Sequence, residues 1–173
     1  MQNKKKKNKN IYVYKTMAVS SNRKLVDGGD IMLFIPSGSS YTSVAHATSH
    51  QLSLSADTES INTKDAGIYG MNEVSKINWE ITANHMYTDS GYDTFFSYMV
   101  GKNPITVVFG RKAETTTPAD VNISNDGNWT AGTSYMYTGQ AIISGLDWSA
   151  DAGSKSTVSV TLQGQGAISK KSS

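Results

Sequence analysis

The sequence predicts a mainly β domain carrying a single α-helix. Three observations support this. Val, Ile, Thr, Tyr, Ser and Gly dominate the periodic stretches, a composition suited to half-buried pleated surfaces. Most of these stretches repeat with a period of two, which sends successive side chains to opposite faces of a strand. Only one stretch, at about residues 90–101, has helical spacing. With 173 residues and three Pro, the chain fits one domain, and a chain of this size buries roughly 70% of its unfolded surface. It needs no metal or disulfide to fold. The absence of Cys excludes disulfide scaffolds, Cys-ligated zinc, iron–sulfur centres and thiol catalysis.

Residues 1 to 10, Met-Gln-Asn-Lys-Lys-Lys-Lys-Asn-Lys-Asn, offer nothing to pack. The first 26 residues hold eight cations (Lys4, Lys5, Lys6, Lys7, Lys9, Lys15, Arg23, Lys24) and no acid. Since the whole chain is +2, the rest carries −6, so a basic arm precedes an acidic body. A secretory signal would follow its lysines with an apolar run of about 7 to 15 residues. Here Ile11-Tyr12-Val13-Tyr14 stops at Lys15, and no apolar run approaches the length of a membrane span, so neither secretion by that route nor a membrane anchor is expected. Lysines attract phosphate, but without interleaved aromatics a solvated tail or a protein-docking arm suits them better. A basic arm on an acidic body can also reach a neighbouring copy, which makes it a candidate assembly element.

After a turn at Asp27-Gly28-Gly29, the apolar run from Ile31 to Ile35 reads as a strand buried on both faces and ended by Pro36. Ser37 to Ser40 is a loop. Val44 to His50 leads into Gln51-Leu52-Ser53-Leu54-Ser55-Ala56-Asp57, an alternating strand. Glu59 to Met71 is polar and glycine-punctuated, a long loop. Ile77, Trp79, Ile81 and Ala83 then alternate with Asn78, Glu80 and Thr82.

The helix comes next. Tyr92, Phe95, Phe96, Met99 and Val100 fall on one stripe, which reads as core. Ser90 suits the N-cap, Asp93 the first turn and Gly101 the C′ position, and Pro104 bars continuation. Ile105 to Phe109 resumes as strand, and Arg111 to Ser134 is a long exposed connection. Tyr135 to Ala150 and Ser156 to Gly166 close the domain as a long hairpin. Its first strand carries Ala141 and Ile143 in phase, slips at Ser144-Gly145 as a β-bulge does, and continues with Leu146 and Trp148. Its second strand alternates Val158, Val160 and Leu162 with Ser159, Thr161 and Gln163.

Catalytic and cofactor chemistry finds little footing. His46 and His50 are four apart, which on a strand separates them by about 13 Å, so they read as surface or turn histidines. His85 reads as a partly exposed neighbour of Tyr87. There is no Gly-x-Ser-x-Gly, Walker loop or dinucleotide fingerprint. No enzyme activity, metal or cofactor is expected. A non-catalytic carbohydrate- or protein-binding β-sandwich module is the alternative, with Trp129, Tyr135 and Tyr137 as stacking residues.

The order of features resembles the major tail tube proteins of long-tailed bacteriophages, a family that includes lactococcal siphophage tail proteins and is akin to the type VI secretion tube protein. The resemblance rests on Gly29-Asp30-Ile31-Met32-Leu33-Phe34, Ser60-Ile61-Asn62-Thr63-Lys64-Asp65, the strand around Trp79, and helix 90–101 followed by Gly101-Lys102-Asn103-Pro104-Ile105-Thr106-Val107. Tyr137-Thr138-Gly139-Gln140-Ala141-Ile142-Ile143 and Ser159-Val160-Thr161-Leu162-Gln163-Gly164-Gln165-Gly166 complete it. It spans residues 27 to 168, and the lysine-rich start lies outside it.

The resemblance implies a β-sandwich or barrel of two packed antiparallel sheets with one flanking helix and long extended loops. It divides the chain into a basic arm (1–26), a tail tube domain (27–169) and a C-terminal tail (170–173). It further implies stacked hexameric rings forming a tube in the virion, made in the bacterial host cytoplasm, that serves as the channel for DNA ejection. Four strands from each of six subunits, about 4.8 Å apart, give a circumference of roughly 115 Å and a bore of roughly 37 Å, wider than a DNA duplex. The implied partners are further copies of the chain, other tail proteins at the tube ends, and a tape-measure protein and double-stranded DNA transiently in the lumen. Ser53, Ser55, Glu80, Thr82, Ser159, Thr161 and Gln163 are candidates to line that lumen. Lys4, Lys5, Lys6, Lys7, Lys9, Glu59, Asn62, Lys64 and Asp65 are candidates for contacts between subunits.

Overall fold

The computed structural model describes residues 25–44, 46–61, 64, 69–113 and 129–171. The elements are β1 (Ile31–Ser37), β2 (Ser40–Ser43), β3 (Ala47–Ile61), β4 (Met71–Met86), α1 (Asp89–Val100), β5 (Ile105–Lys112), β6 (Ala131–Ser149) and β7 (Thr157–Lys171). A one-turn 3₁₀ segment at Gly28–Asp30 opens the domain, with the Asp27 carboxylate accepting from the Gly29 N–H. Asp30 is held in place by Lys112 at 3.2 Å and Arg111 at 3.7 Å.

The seven strands form one antiparallel sheet in the order β2-β1-β5-β6-β7-β4-β3. β6 turns the corner in this sheet. β5 pairs with its first part as far as Ala141, β7 follows it nearly throughout, and register shifts at Thr138/Gln140 and Ile143/Gly145 let the long strand bend. The second shift is the bulge expected at Ser144-Gly145. The sheet therefore rolls until β1 and β3, far apart in the strand order, lie against each other, with Leu33 and Leu52 meeting in one core. The structure thus has one rolled sheet in place of the two packed sheets that the resemblance implies.

The main core joins Leu33, Trp79, Ile81, Ala83, Phe95, Ile105, Val107, Ala141, Val160 and Leu162. On the opposite face of β1 and β5, Phe34, Val108 and Met136 form a second cluster covered by Tyr41 and Trp129. β1 is thus buried on both faces, as its unbroken apolar run predicts. Trp79 is the keystone of the main core. Its Nε1 donates to the Gly166 carbonyl at 2.9 Å, and its ring occupies the space that side chains at Gly139 and Gly164 would need.

Several expectations need correction. α1 begins one residue earlier than expected and is capped by Thr88, whose Oγ1 accepts from the Gly91 N–H at 3.3 Å, rather than by Ser90. Gly101 is the right-handed C-cap, and the left-handed residue is Lys102 at φ +54°. Phe95 is the only buried member of the helical stripe, with Tyr98 beside it; Phe96, Met99 and Val100 are exposed. Leu54 and Ile77, also on dry faces in the sequence, are exposed too. Periodicity identifies the apolar face of an element but not whether its own chain supplies a cover.

The loop expected from Glu59 is strand through Ile61, and β4 begins at Met71. That pairing extends beyond the body, where both faces are wet and the sequence has no apolar alternation to betray it. His85 is buried, 1% exposed, with its ring centroid 5.7 Å from that of Phe95.

Candidate functional site

β3, β4, β7 and the later half of β6 form a four-stranded segment with one dry and one polar face. Val158, Val160 and Leu162 of β7 and Trp79, Ile81 and Ala83 of β4 fill the core, so their alternate neighbours must face away. The register aligns those neighbours in rows. Ser53 is opposite Glu80, Glu80 opposite Gln163, and Gln163 opposite Ile142. The next row runs Gln51, Thr82, Thr161, and the one after it Ser49, Asn84, Ser159, Asp147. Ser55 pairs with Asn78. All seven residues expected to share a polar surface, Ser53, Ser55, Glu80, Thr82, Ser159, Thr161 and Gln163, therefore lie on one face of one sheet segment.

Gln51, Asn84 and Asp147 share this face, although spacing alone does not assign them to it. Strand register supplies them, because each sits directly across from a residue already on it. The face is knitted by polar contacts: Asn84 Nδ2 donates to Ser49 Oγ at 2.9 Å and Asn78 Nδ2 to Asp57 Oδ2 at 3.1 Å. Pairing also puts Lys76 opposite Asp57 and, past a register shift, Glu59 opposite Glu73. Acids thus outnumber bases across the face: Asp57, Glu59, Glu73, Glu80 and Asp147 against Lys76.

Two strand edges border this segment. β3 pairs only with β4, and β6 pairs with β5 no further than Ala141, leaving Ile142–Ser149 with an open side among the described residues. β4 joins β7 only from Glu80 onward, so the stretch from Met71 to Trp79 and its β3 partner project as a two-stranded ribbon.

The expected contact residues fare unevenly. Glu59 is exposed on the ribbon and Lys64 exposed in a turn near its tip. Asn62, Asp65 and the arm lysines Lys4, Lys5, Lys6, Lys7 and Lys9 lie outside the described residues. Of the aromatics proposed for a binding module, Trp129 is half-buried on the second core cluster with the Lys112 ammonium 4.2 Å from its ring centre, and Tyr137 is exposed opposite Phe109. The two do not form a shared platform.

No group of three or more metal-ligating side chains occurs among the described residues, and none of their helices is long and apolar enough to cross a membrane. His46 sits in a turn at φ +50°. Burial, and then the neighbouring charge of His50, lowers the His85 pKa to about 4. Burial also lowers that of His50.

No protein-family model and no curated protein sequence matches the chain. Solved structures do. A chain from the tail of an empty gene transfer agent particle with C6 symmetry is 13% identical, with a TM-score of 0.61 over 84% of this chain and 98% of that one. The SPP1 tail tube is 11% identical, with a TM-score of 0.61 over 86% and 80%. A chain of the anti-feeding prophage baseplate, 6-fold symmetrised, is 10% identical, with a TM-score of 0.54 over 84% and 94%. At these identities the likeness is one of fold, and the fold of this chain is that of the SPP1 tail tube and of chains in these tail and baseplate assemblies.

Proposed function

We propose that the protein is a structural, non-catalytic subunit of a bacteriophage tail tube, assembling as hexameric rings that stack into the channel for DNA ejection. The observation that supports this best is the four-stranded segment with a polar face and an open edge at each side. Four alternating strands repeat around a ring without breaking the antiparallel order, because β3 of one copy runs opposite to β6 of the next. The edges that invite aggregation in a lone sheet then become the joints of a closed one. The polar face becomes the lumen wall, and its excess of carboxylates repels phosphate so that DNA slides rather than sticks.

The ribbon carrying Glu59 and the basic arm suit contacts with neighbouring copies, since directly opposed Glu59 and Glu73 favour a cationic partner. Other tail proteins at the tube ends and a tape-measure protein in the bore complete the expected partners, and the virion is the expected location. Electron microscopy of the purified protein tests the reading. Rings or tubes are expected; a monodisperse monomer at high concentration overturns it.

A further inference from the structure

β4 and β7 are paired as far as Glu80 and Gln163, and there they part. Beyond that row β4 pairs with β3 and β7 with β6, so each turns an unpaired edge toward the other among the described residues. The Trp79 indole bridges the two at the apex by donating to the Gly166 carbonyl. Between the edges lies a groove of about 660 Å³, lined by Val74, Ile77 and Trp79 on one side and by Gly164, Gly166 and Ala167 on the other. Ile77 has the same parity as the buried Trp79, yet it is 63% exposed, and Val74 is more than half exposed. Scattered surface apolar residues are ordinary. An apolar groove between two open edges is different, because an added strand satisfies the main-chain groups of both edges while its side chains cover the floor.

We propose that the chain fills this groove with its own Ile11-Tyr12-Val13-Tyr14, added as a strand between β4 and β7. Within residues 1–24 this is the longest run of strong strand formers. The described residues begin at Leu25, at the end of the sheet toward which the ribbon points, because Met32, Gly110, Met136 and Lys171 share one row there. From that row to the apex row of Ile142 is six residues of β6, about 20 Å, and crossing from β1 past β5, β6 and β7 is about 20 Å more. The diagonal is about 28 Å, whereas the eleven residues from Tyr14 to Leu25 span up to about 36 Å. The groove is thus within reach of its own chain, with no second copy needed. Charge sets the direction. With the segment parallel to β4 and Val13 beside Ile77, Lys9 stands four residues before Val13 just as Glu73 stands four before Ile77. Glu73 lies opposite Glu59, so Lys9 meets a pair of like charges that needs a cation, and Lys4 to Lys7 continue along the ribbon. The reverse direction would send the lysines over the closed apex, away from both glutamates. Arm and ribbon then reach a neighbouring copy as one unit.

The chain has no Cys, so a full-length protein with Val13→Cys and Ile77→Cys reports the contact directly. Oxidised below the concentration at which the chain assembles, it should form an intramolecular disulfide, seen as a faster-running monomer on a non-reducing gel. A protein with Val13→Cys and Ala152→Cys, the latter in the exposed turn at the opposite end of the sheet, should oxidise at least about 10-fold more slowly. Equal rates for the two pairs, or disulfide-linked dimers in place of the intramolecular product, overturn docking in the chain's own groove. Hydrogen exchange read by mass spectrometry is the second measurement. Val13→Pro removes a strand donor from the arm and leaves the described residues unaltered. It should speed exchange of the groove-facing amides of residues 74–79 and 164–168 by at least about 10-fold, and unchanged exchange there overturns the added strand. Both measurements use unassembled chain, so a negative result strikes the docking and leaves the tube reading to its own test by electron microscopy.

Discussion

Replacing Gly164 with alanine adds one carbon at the tightest point of the core. That carbon would sit 2.3 Å from Cδ2 and Cε2 of Trp79 and 2.5 Å from Nε1, where carbon contacts prefer about 3.5–4.0 Å. The indole must therefore retreat by more than about 1 Å. Retreat toward Gly139 is limited as well, because Cζ2 already lies 2.6 Å from where a Cβ there would sit, close against the Gly139 backbone. Overpacking of this kind costs about 1–3 kcal/mol. Pulling Nε1 from the Gly166 carbonyl strands a buried donor for about 1–3 kcal/mol more. The expected loss is about 2–6 kcal/mol, a large fraction of the roughly 5–15 kcal/mol typical of a folded domain.

Urea unfolding followed by circular dichroism, below the concentration at which the chain assembles, measures this as a fall in midpoint at constant slope. In a Trp79→Leu background the same glycine substitution should cost far less, giving a strong coupling in the double-mutant cycle. A Gly164→Ala protein within about 0.5 kcal/mol of wild type would refute the argument. Gly166 provides a contrast. Its φ of +79° leaves open space around a Cβ, so alanine there should cost about 1–2 kcal/mol through backbone strain alone, with no coupling to residue 79 beyond the shared hydrogen bond.

Three further outcomes follow. His85, with its pKa lowered to about 4, is neutral in the fold but takes up a proton in the unfolded chain below its ordinary value of about 6.5. Stability should therefore be full above pH 6.5 and fall by up to about 3 kcal/mol as pH drops toward 4, and a His85→Leu protein with the same pH slope would count against this. Thr88→Ala should cost about 1 kcal/mol through loss of the helix cap while Ser90→Ala should be nearly neutral, and equal effects in thermal melts would restore Ser90 as the cap. Glu80→Gln should leave tube formation unchanged but slow DNA passage in an ejection assay, and unchanged delivery would remove Glu80 from the lumen wall.

Much of the fold could be read from side-chain alternation, because each strand of the body has one face against a core. Val158, Val160 and Leu162 reveal their strand, and the slip at Ser144-Gly145 reveals its bend. The seven polar residues converge on one face for the same reason: parity along a strand is set by burial on the other side. Alternation fails where burial ends. The ribbon at Glu59–Ile61 is wet on both faces, so its pattern resembles a loop. Ile77, Phe96 and Val100 keep an apolar phase in the sequence although the described residues leave them exposed. The burial of His85 escapes the pattern because one polar residue continuing a dry face looks the same as one turning to solvent. Neither its burial nor its place beside Phe95 follows from spacing alone.

The Trp79 keystone stands where β4 parts from β7, which makes it a fulcrum as well as a filler. From Glu80 to the ribbon's end at Met71 is a lever of about 30 Å at strand rise. A tilt of only about 5° at the indole would therefore swing the far end by about 2.5 Å, nearly the full length of a hydrogen bond. Small changes around Gly139, Gly164 and Gly166 would then be magnified along the ribbon, and its aim would be set from inside the core.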